Sequence, residues 1–326
     1  MMNRRTFLGG LMLGTVVAPF ASEAQQPGKV FQIGVLSSQL PESPMWAPFH
    51  EGLRELGYVE GKNIAFKWQS PRFRAGRFPD LAVELVRGKV DVVVAGDNPA
   101  IAAAQRATET IPIVMVLAMD PVASGFVRSL ARPGGNITGL TTQAPELHGK
   151  ALQLLKEAVP TASRVAILWD PTEPGRREIA KEAESAGQAL GLRVQLLEAR
   201  SPSELESRFM AMAREGVEAV QVQPSQMIGG HREQIAKLAV RSRLPTIAVF
   251  RPFPEIGGLM SYGLSYSAQY RRAAYYVAKL LGGARASDLP IEQPTKFKFV
   301  INLKTAKALG LTIPQSILLR ADEVIQ

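Results

Sequence analysis

The sequence contains no cysteine. This excludes disulfides, thiolate nucleophiles, Fe–S clusters and cysteine-ligated zinc, and it leaves no thiol to carry a diacylglycerol anchor. Histidine is nearly as scarce. His50, His148 and His231 fall in separate helices or helix starts, none at i, i+4 from another, and no His-Glu-x-x-His run occurs, so a metal centre has little support. Also missing are a G-x-S-x-G nucleophile elbow, a P-loop and a G-x-G-x-x-G fingerprint. Gly134-Gly135 follows Pro133 and reads as a turn before a strand. No spacing favours a Ser-His-Asp triad. An enzyme is the poorer reading, and no cofactor is implied.

What is present is an ordinary globular composition. The chain has 326 residues, 46% hydrophobic and 21% charged, enough for about two domains with sizeable cores. The net charge of +9 raises nucleic acid or an anionic surface as a partner, and the distribution of that charge decides. Arg72, Arg74 and Arg77 form a short cluster, while Arg176-Arg177 and Arg271-Arg272 are isolated pairs beside acids or on helix exteriors. No helix-turn-helix precedes the first βα unit, which argues against DNA binding.

That place is taken by an address. Arg4-Arg5 leads an apolar run from Phe7 to Phe20, and Ser22-Glu23-Ala24 offers small residues for cleavage. The run is shorter than the ~20 residues a membrane-crossing helix needs. Residues 1–24 therefore read as a cleaved export signal of twin-arginine type, with Asn3 where Ser is commoner. The expected location is the periplasm.

From Phe31 onward, strands and helices alternate. Val90–Ala95 and Pro112–Ala118 are continuous apolar runs, the mark of parallel strands buried on both faces. Ser43-Pro44 opens a helix, Asp97-Asn98-Pro99 caps an Ala-rich one, and a further helix is expected from Val122 to Ala131. The rhythm restarts after Arg132-Pro133-Gly134-Gly135-Asn136, and Val217–Val249 echoes Val90–Val116. Two Rossmann-like βα lobes fit this better than one long sheet.

Polar turns follow the buried strands: Ser37-Ser38, Gly96-Asp97-Asn98, Asp120-Pro121, Asp170-Pro171 and Gln223-Pro224-Ser225. In open α/β sheets, ligands bind outside the carboxyl ends of strands. Ser37, Ser38, Asp97, Asn98, Asp120, Asp170 and Ser225 are therefore candidate ligand contacts across a facing cleft. For each, the bland alternative is a helix cap. A ligand carboxylate is expected on the helix start after Asn98, and a ligand ammonium on Asp120 or Asp170. Trp46 and Trp169 flank these turns, with core packing the commoner role.

Several stretches resemble a known family. They are Gly52-Leu53-Arg54-Glu55-Leu56-Gly57-Tyr58-Val59-Glu60-Gly61-Lys62-Asn63-Ile64, Ser129-Leu130-Ala131-Arg132-Pro133-Gly134-Gly135-Asn136-Ile137-Thr138-Gly139, Gly257-Gly258-Leu259-Met260-Ser261-Tyr262-Gly263, Leu289–Phe297 and Val300–Leu311. With these, the chain from Phe31 to its end resembles the ABC-transporter solute-binding proteins that include tryptophan-type receptors. The resemblance implies a type I periplasmic-binding fold, with crossovers near Thr138–Thr142, Leu259–Tyr262 and Phe297–Ile301. It divides the chain into residues 30–141 plus 263–294 for the first lobe and 142–262 plus 295–326 for the second. Tyr262, on a crossover, joins the candidate contacts. The family often has a small residue with Thr or Ser where this chain has Asp97-Asn98.

The implied protein is a monomeric exported receptor that captures a small solute, such as an amino acid, and presents it to the membrane subunits of an ABC permease. Two alternatives are a sensor or regulator on the same fold, which lacks a DNA-binding head, and an exported α/β hydrolase, which lacks a nucleophile elbow.

Overall fold

The computed structural model describes residues 29–326 apart from 73–74, 143, 145, 173–175 and 251. The expected export signal lies outside the described residues. In the first lobe, β1 (Phe31–Leu36), β2 (Ile64–Gln69), β3 (Val92–Ala95), β4 (Ile113–Ala118) and β5 (Ile137–Thr141) form one parallel sheet in the order β2-β1-β3-β4-β5. The apolar runs sit at its centre because a parallel sheet with helices on both faces buries every side chain of its inner strands. Helices α1 (Ala47–Glu55) and α9 (Tyr266–Leu281) cover one face, packing Phe49, Leu53, Tyr270 and Val277 on Val92 and Val114. Helices α2 (Phe78–Arg87) and α3 (Asn98–Ala107) cover the other, with Leu81, Leu85 and Ile101 inward. Each such side chain, fully buried, contributes roughly 1.5–3 kcal/mol.

The second lobe is larger. Strands β6 (Arg164–Trp169), β7 (Arg193–Glu198), β8 (Ala219–Val222), β9 (Thr246–Ala248), β10 (Met260–Leu264), β11 (Phe297–Asn302) and β12 (Glu323–Ile325) run in the order β12-β11-β10-β9-β8-β6-β7. All pairs are parallel except β10 with β11. Helix α4 (Glu146–Ala158) covers one face together with α10 (Leu303–Ala308) and α11 (Gln315–Leu318). Helices α6 (Leu205–Arg214) and α8 (Arg232–Arg241) cover the other, through Phe209, Met212 and Ile235. Helix α5 (Arg176–Ala189) packs beside α4 and β7, and α7 (Gln226–Gly230) is a short turn after β8. Among the described residues no helix is long and apolar enough to cross a membrane.

The helix expected over Val122–Ala131 does not form. Residues 120–131 make a chain of turns, in which Phe126 and Val127 donate their N–H groups to the Pro121 carbonyl and Gly125 takes φ +72. Phe126 and Val127 still bury against the α2–α3 face, so their apolar spacing reports burial and not a helical period. The crossovers also sit differently in detail. Leu259–Tyr262 and Phe297–Ile301 fall largely inside the antiparallel β10–β11 pair of the second sheet. The chain changes sheets just beyond Thr141, between Leu264 and Tyr266, and between Glu292 and Phe297.

Candidate functional site

Strands β1, β3 and β4 are neighbours, so the turns at their carboxyl ends meet. Asp97 ties two of them: Oδ1 accepts from Ala100 N at 3.1 Å as the cap of α3, and Oδ2 accepts from Ser38 N at 3.0 Å. Asn98 ties the third. Its amide donates to the Met119 carbonyl at 2.9 Å and its Oδ1 accepts from Met119 N at 2.8 Å. Ser37 is buried, its hydroxyl accepting from Gln39 N at 3.1 Å, and a Cβ on Gly96 would run into that side chain. Asp120 follows Met119 at φ +42, a left-handed conformation Asp tolerates better than most residues, and its Oδ1 accepts from Ala123 N. Ser37, Ser38, Asp97, Asn98 and Asp120 are thus brought together on one rim.

The start of α3 holds few free donors. Ala100 N and Ile101 N both donate to Asp97, and Pro99 has no N–H.

The second rim is built from adjacent strands β6 and β8. Asp170, 2% exposed, accepts from Thr172 N and Thr172 Oγ1 through one oxygen, Oδ1. Ser225 caps α7, its hydroxyl accepting from Ile228 N. Tyr262 stands apart from both groups. Its ring stacks on Phe297 at 5.5 Å, and burial, followed by the Asp322 carboxylate, raises its hydroxyl above the ordinary tyrosine range.

Beyond Trp46 and Trp169, which the sequence set beside the turns, sequence reasoning missed a second set of polar groups. Among the described residues, buried atoms that lack a hydrogen-bond partner include Trp46 Nε1 and the Tyr270 hydroxyl in the first lobe. In the second they include Trp169 Nε1, His148 Nδ1, Gln221 Oε1 and both amide atoms of Gln223. Unsatisfied buried groups are rare, and these lie on or beside the elements that carry the two rims. Trp46 packs edge-on against Trp68 at 5.0 Å and Tyr270 at 4.8 Å. Tyr270 is raised by burial and then by the nearby Asp97 charge. His148 is lowered to about 4 by burial, with Arg176 adding to the effect. The available signal was two glutamines, Gln221 and Gln223, at the end of an otherwise Val-rich buried strand. Among the described residues no cluster of three or more His, Asp or Glu is placed to hold a metal ion.

A five-stranded parallel sheet and a mostly parallel seven-stranded sheet, each with helices on both faces and polar turns at its strand ends, describe the periplasmic-binding-protein-like fold, type I. The family model for ABC transporter substrate binding protein matches residues 45–325. This chain belongs to that family.

Known proteins resemble the chain over most of its length. A tyrosine-binding protein of Clostridioides difficile (strain R20291) is 26% identical over 278 residues, 84% of this chain and 80% of the relative. The ABC domain from Streptococcus pneumonia, solved in complex with L-Trp, superposes with a TM-score of 0.77 at 25% identity, covering 91% of this chain and 100% of the other. A substrate-binding protein with adhesive properties from Clostridium difficile, solved in a ligand-free, open form, gives a TM-score of 0.78 at 23% identity over 91% of this chain and 99% of the other. At that identity the last supports the fold alone. The family is one of binding proteins, not enzymes.

Proposed function

We propose that this substrate-binding protein is exported to the periplasm and captures an amino acid, of the aromatic class bound by its relatives, between its lobes. The filled receptor then docks as a monomer on the membrane subunits of an ABC permease. It binds its solute and does not turn it over. Gly263 and Leu264 pair with Lys298 and Phe297 in the second sheet, so the boundary expected after Tyr262 moves to Leu264 and the lobes comprise residues 30–141 plus 265–294 and 142–264 plus 295–326.

The observation that carries this reading is the pair Asp120 and Asp170, one from each rim. Each uses Oδ1 for its own turn, and among the described residues Oδ2 of each is left without a hydrogen bond. A ligand ammonium removed from water needs a paired carboxylate, and in this reading one of these aspartates supplies it. Ser37, Ser38, Asp97, Asn98 and Ser225 shape the surrounding turns, and Tyr262 borders the crossover. A tryptophan-containing complex and a tyrosine-binding relative support an aromatic side chain.

Calorimetric titration of L-tryptophan and L-tyrosine into the mature protein, Asp120→Asn and Asp170→Asn tests this. Binding by the wild type and a loss of ~2–5 kcal/mol in a variant that removes the ammonium partner are expected. Wild-type affinity in both variants would make these aspartates turn-formers only.

A further inference from the structure

We propose that Arg272 and Glu292 form a latch that pins the third crossover to the first lobe and so sets how freely the two lobes move. Glu292 stands at the last anchored point of that crossover. Its N–H donates to the Gly139 carbonyl at 3.0 Å, and its own carbonyl accepts from Thr141 N at 3.0 Å, which joins it to the end of β5, where the first crossover begins. Its side chain is gripped at both oxygens by Arg272 of α9: Nε to Oε2 at 2.7 Å and NH2 to Oε1 at 2.6 Å. The Arg272 guanidinium lies 3.9 Å over the Tyr275 ring, which fixes its plane. Arginine presents a rigid fork to a carboxylate, so a grip through both oxygens holds orientation as well as distance.

Helix α9 gathers the other crossovers too. Gln269 donates its amide to the Thr141 carbonyl at 3.0 Å, and Tyr276 donates its hydroxyl to the Pro290 carbonyl at 2.6 Å. The helix itself begins at Tyr266, directly after the second crossover, where the chain leaves β10 at Leu264. Beyond Glu292 the restraint stops. Among the described residues Gln293, Pro294 and Thr295 make no hydrogen bond, and Lys296 is held through its carbonyl by Ser265 N. This stretch borders an open groove of about 510 Å3 lined by Leu140, Gln269, Arg272, Tyr275 and Glu292, which gives it room to swing. Hinges absorb their backbone change at a few such residues. Releasing Glu292 would lengthen the free segment towards the first lobe and admit more lobe orientations, most of which cannot hold a ligand on both rims.

The effect on affinity rests on the cleft reading above; the effect on lobe motion does not, and the experiment separates them. The chain has no cysteine, so Val83→Cys on α2 and Met210→Cys on α6, both exposed, give a spin-label pair across the lobes without further changes. Electron–electron distance distributions are measured without ligand for the labelled parent, Glu292→Gln and Arg272→Met. Broader distributions are expected in both variants. L-tryptophan and L-tyrosine should each bind about 3–10-fold more weakly, as the competent population falls, with their affinity ratio unchanged because no ligand contact is lost. Distributions as narrow as the parent's would overturn the latch, whatever binds. Broadened distributions in a protein that binds neither amino acid would uphold the latch and overturn the amino-acid reading. Should Arg272→Met fail to fold, the isosteric Glu292→Gln decides.

Discussion

The backbone N–H of Ser38 donates to Asp97 Oδ2 at 3.0 Å, so the turn after β1 hangs on the cap of α3. One carboxylate thus holds two pieces of the first rim, one through each oxygen. Asp97→Ala removes both bonds and should destabilise the protein by ~1–2 kcal/mol, the usual cost of a lost cap. Urea denaturation measures this. A midpoint unchanged from wild type would mean that the cap is replaced by water.

Gly139 is a site where only glycine fits. It lies at φ +124 in β5, opposite Met115, and a Cβ there would meet the Met115 backbone, its nitrogen at 2.7 Å. Gly139→Ala combines left-handed strain with a backbone clash and should cost at least ~3 kcal/mol. Low soluble yield or a large fall in denaturation midpoint is the expected reading. Near-wild-type stability would show that β4 and β5 separate easily at the register shift beside Met115.

His148 makes stability depend on pH. Its folded-state pKa lies at about 4, lowered chiefly by burial, against 6.5 when unfolded. Between these values the unfolded chain binds the extra proton, so stability is full above about pH 6.5 and falls as pH drops towards 4, by up to about 3 kcal/mol. His148→Gln should flatten that slope. Parallel urea titrations at pH 7 and pH 4.5 measure the difference, and equal slopes in both proteins would contradict it.

Gln223 should behave oppositely to a normal buried polar residue. Both its amide atoms are buried without partners, so Gln223→Leu removes unmet donors and acceptors and should leave the ligand-free protein as stable as wild type or more so, by up to ~3 kcal/mol. A lower denaturation midpoint would mean the amide has a partner in solution.

The architecture was legible where burial leaves a pattern. Val-rich runs on both sides of helical stretches gave the parallel strands, and Asp97 and Ser43 stood out as caps because their side chains compete for backbone N–H groups. The Val122–Ala131 stretch misled because Phe126 and Val127 bury from a loop, where no period applies. The bonds of Asn98 to Met119 and of Arg272 to Glu292 join residues far apart in sequence, and nothing in local spacing encodes them. Nor could the sequence separate a capping oxygen from a free one on Asp120 or Asp170. That depends on turn geometry set by the strands around them.

The most direct test of the central claim is calorimetric titration of the mature protein with L-tryptophan and L-tyrosine, alongside L-leucine and D-glucose as non-aromatic comparisons. The account predicts saturable one-to-one binding of at least one aromatic amino acid, tighter than either comparison compound. No heat of binding from any amino acid at millimolar concentration, with the protein folded, would contradict it.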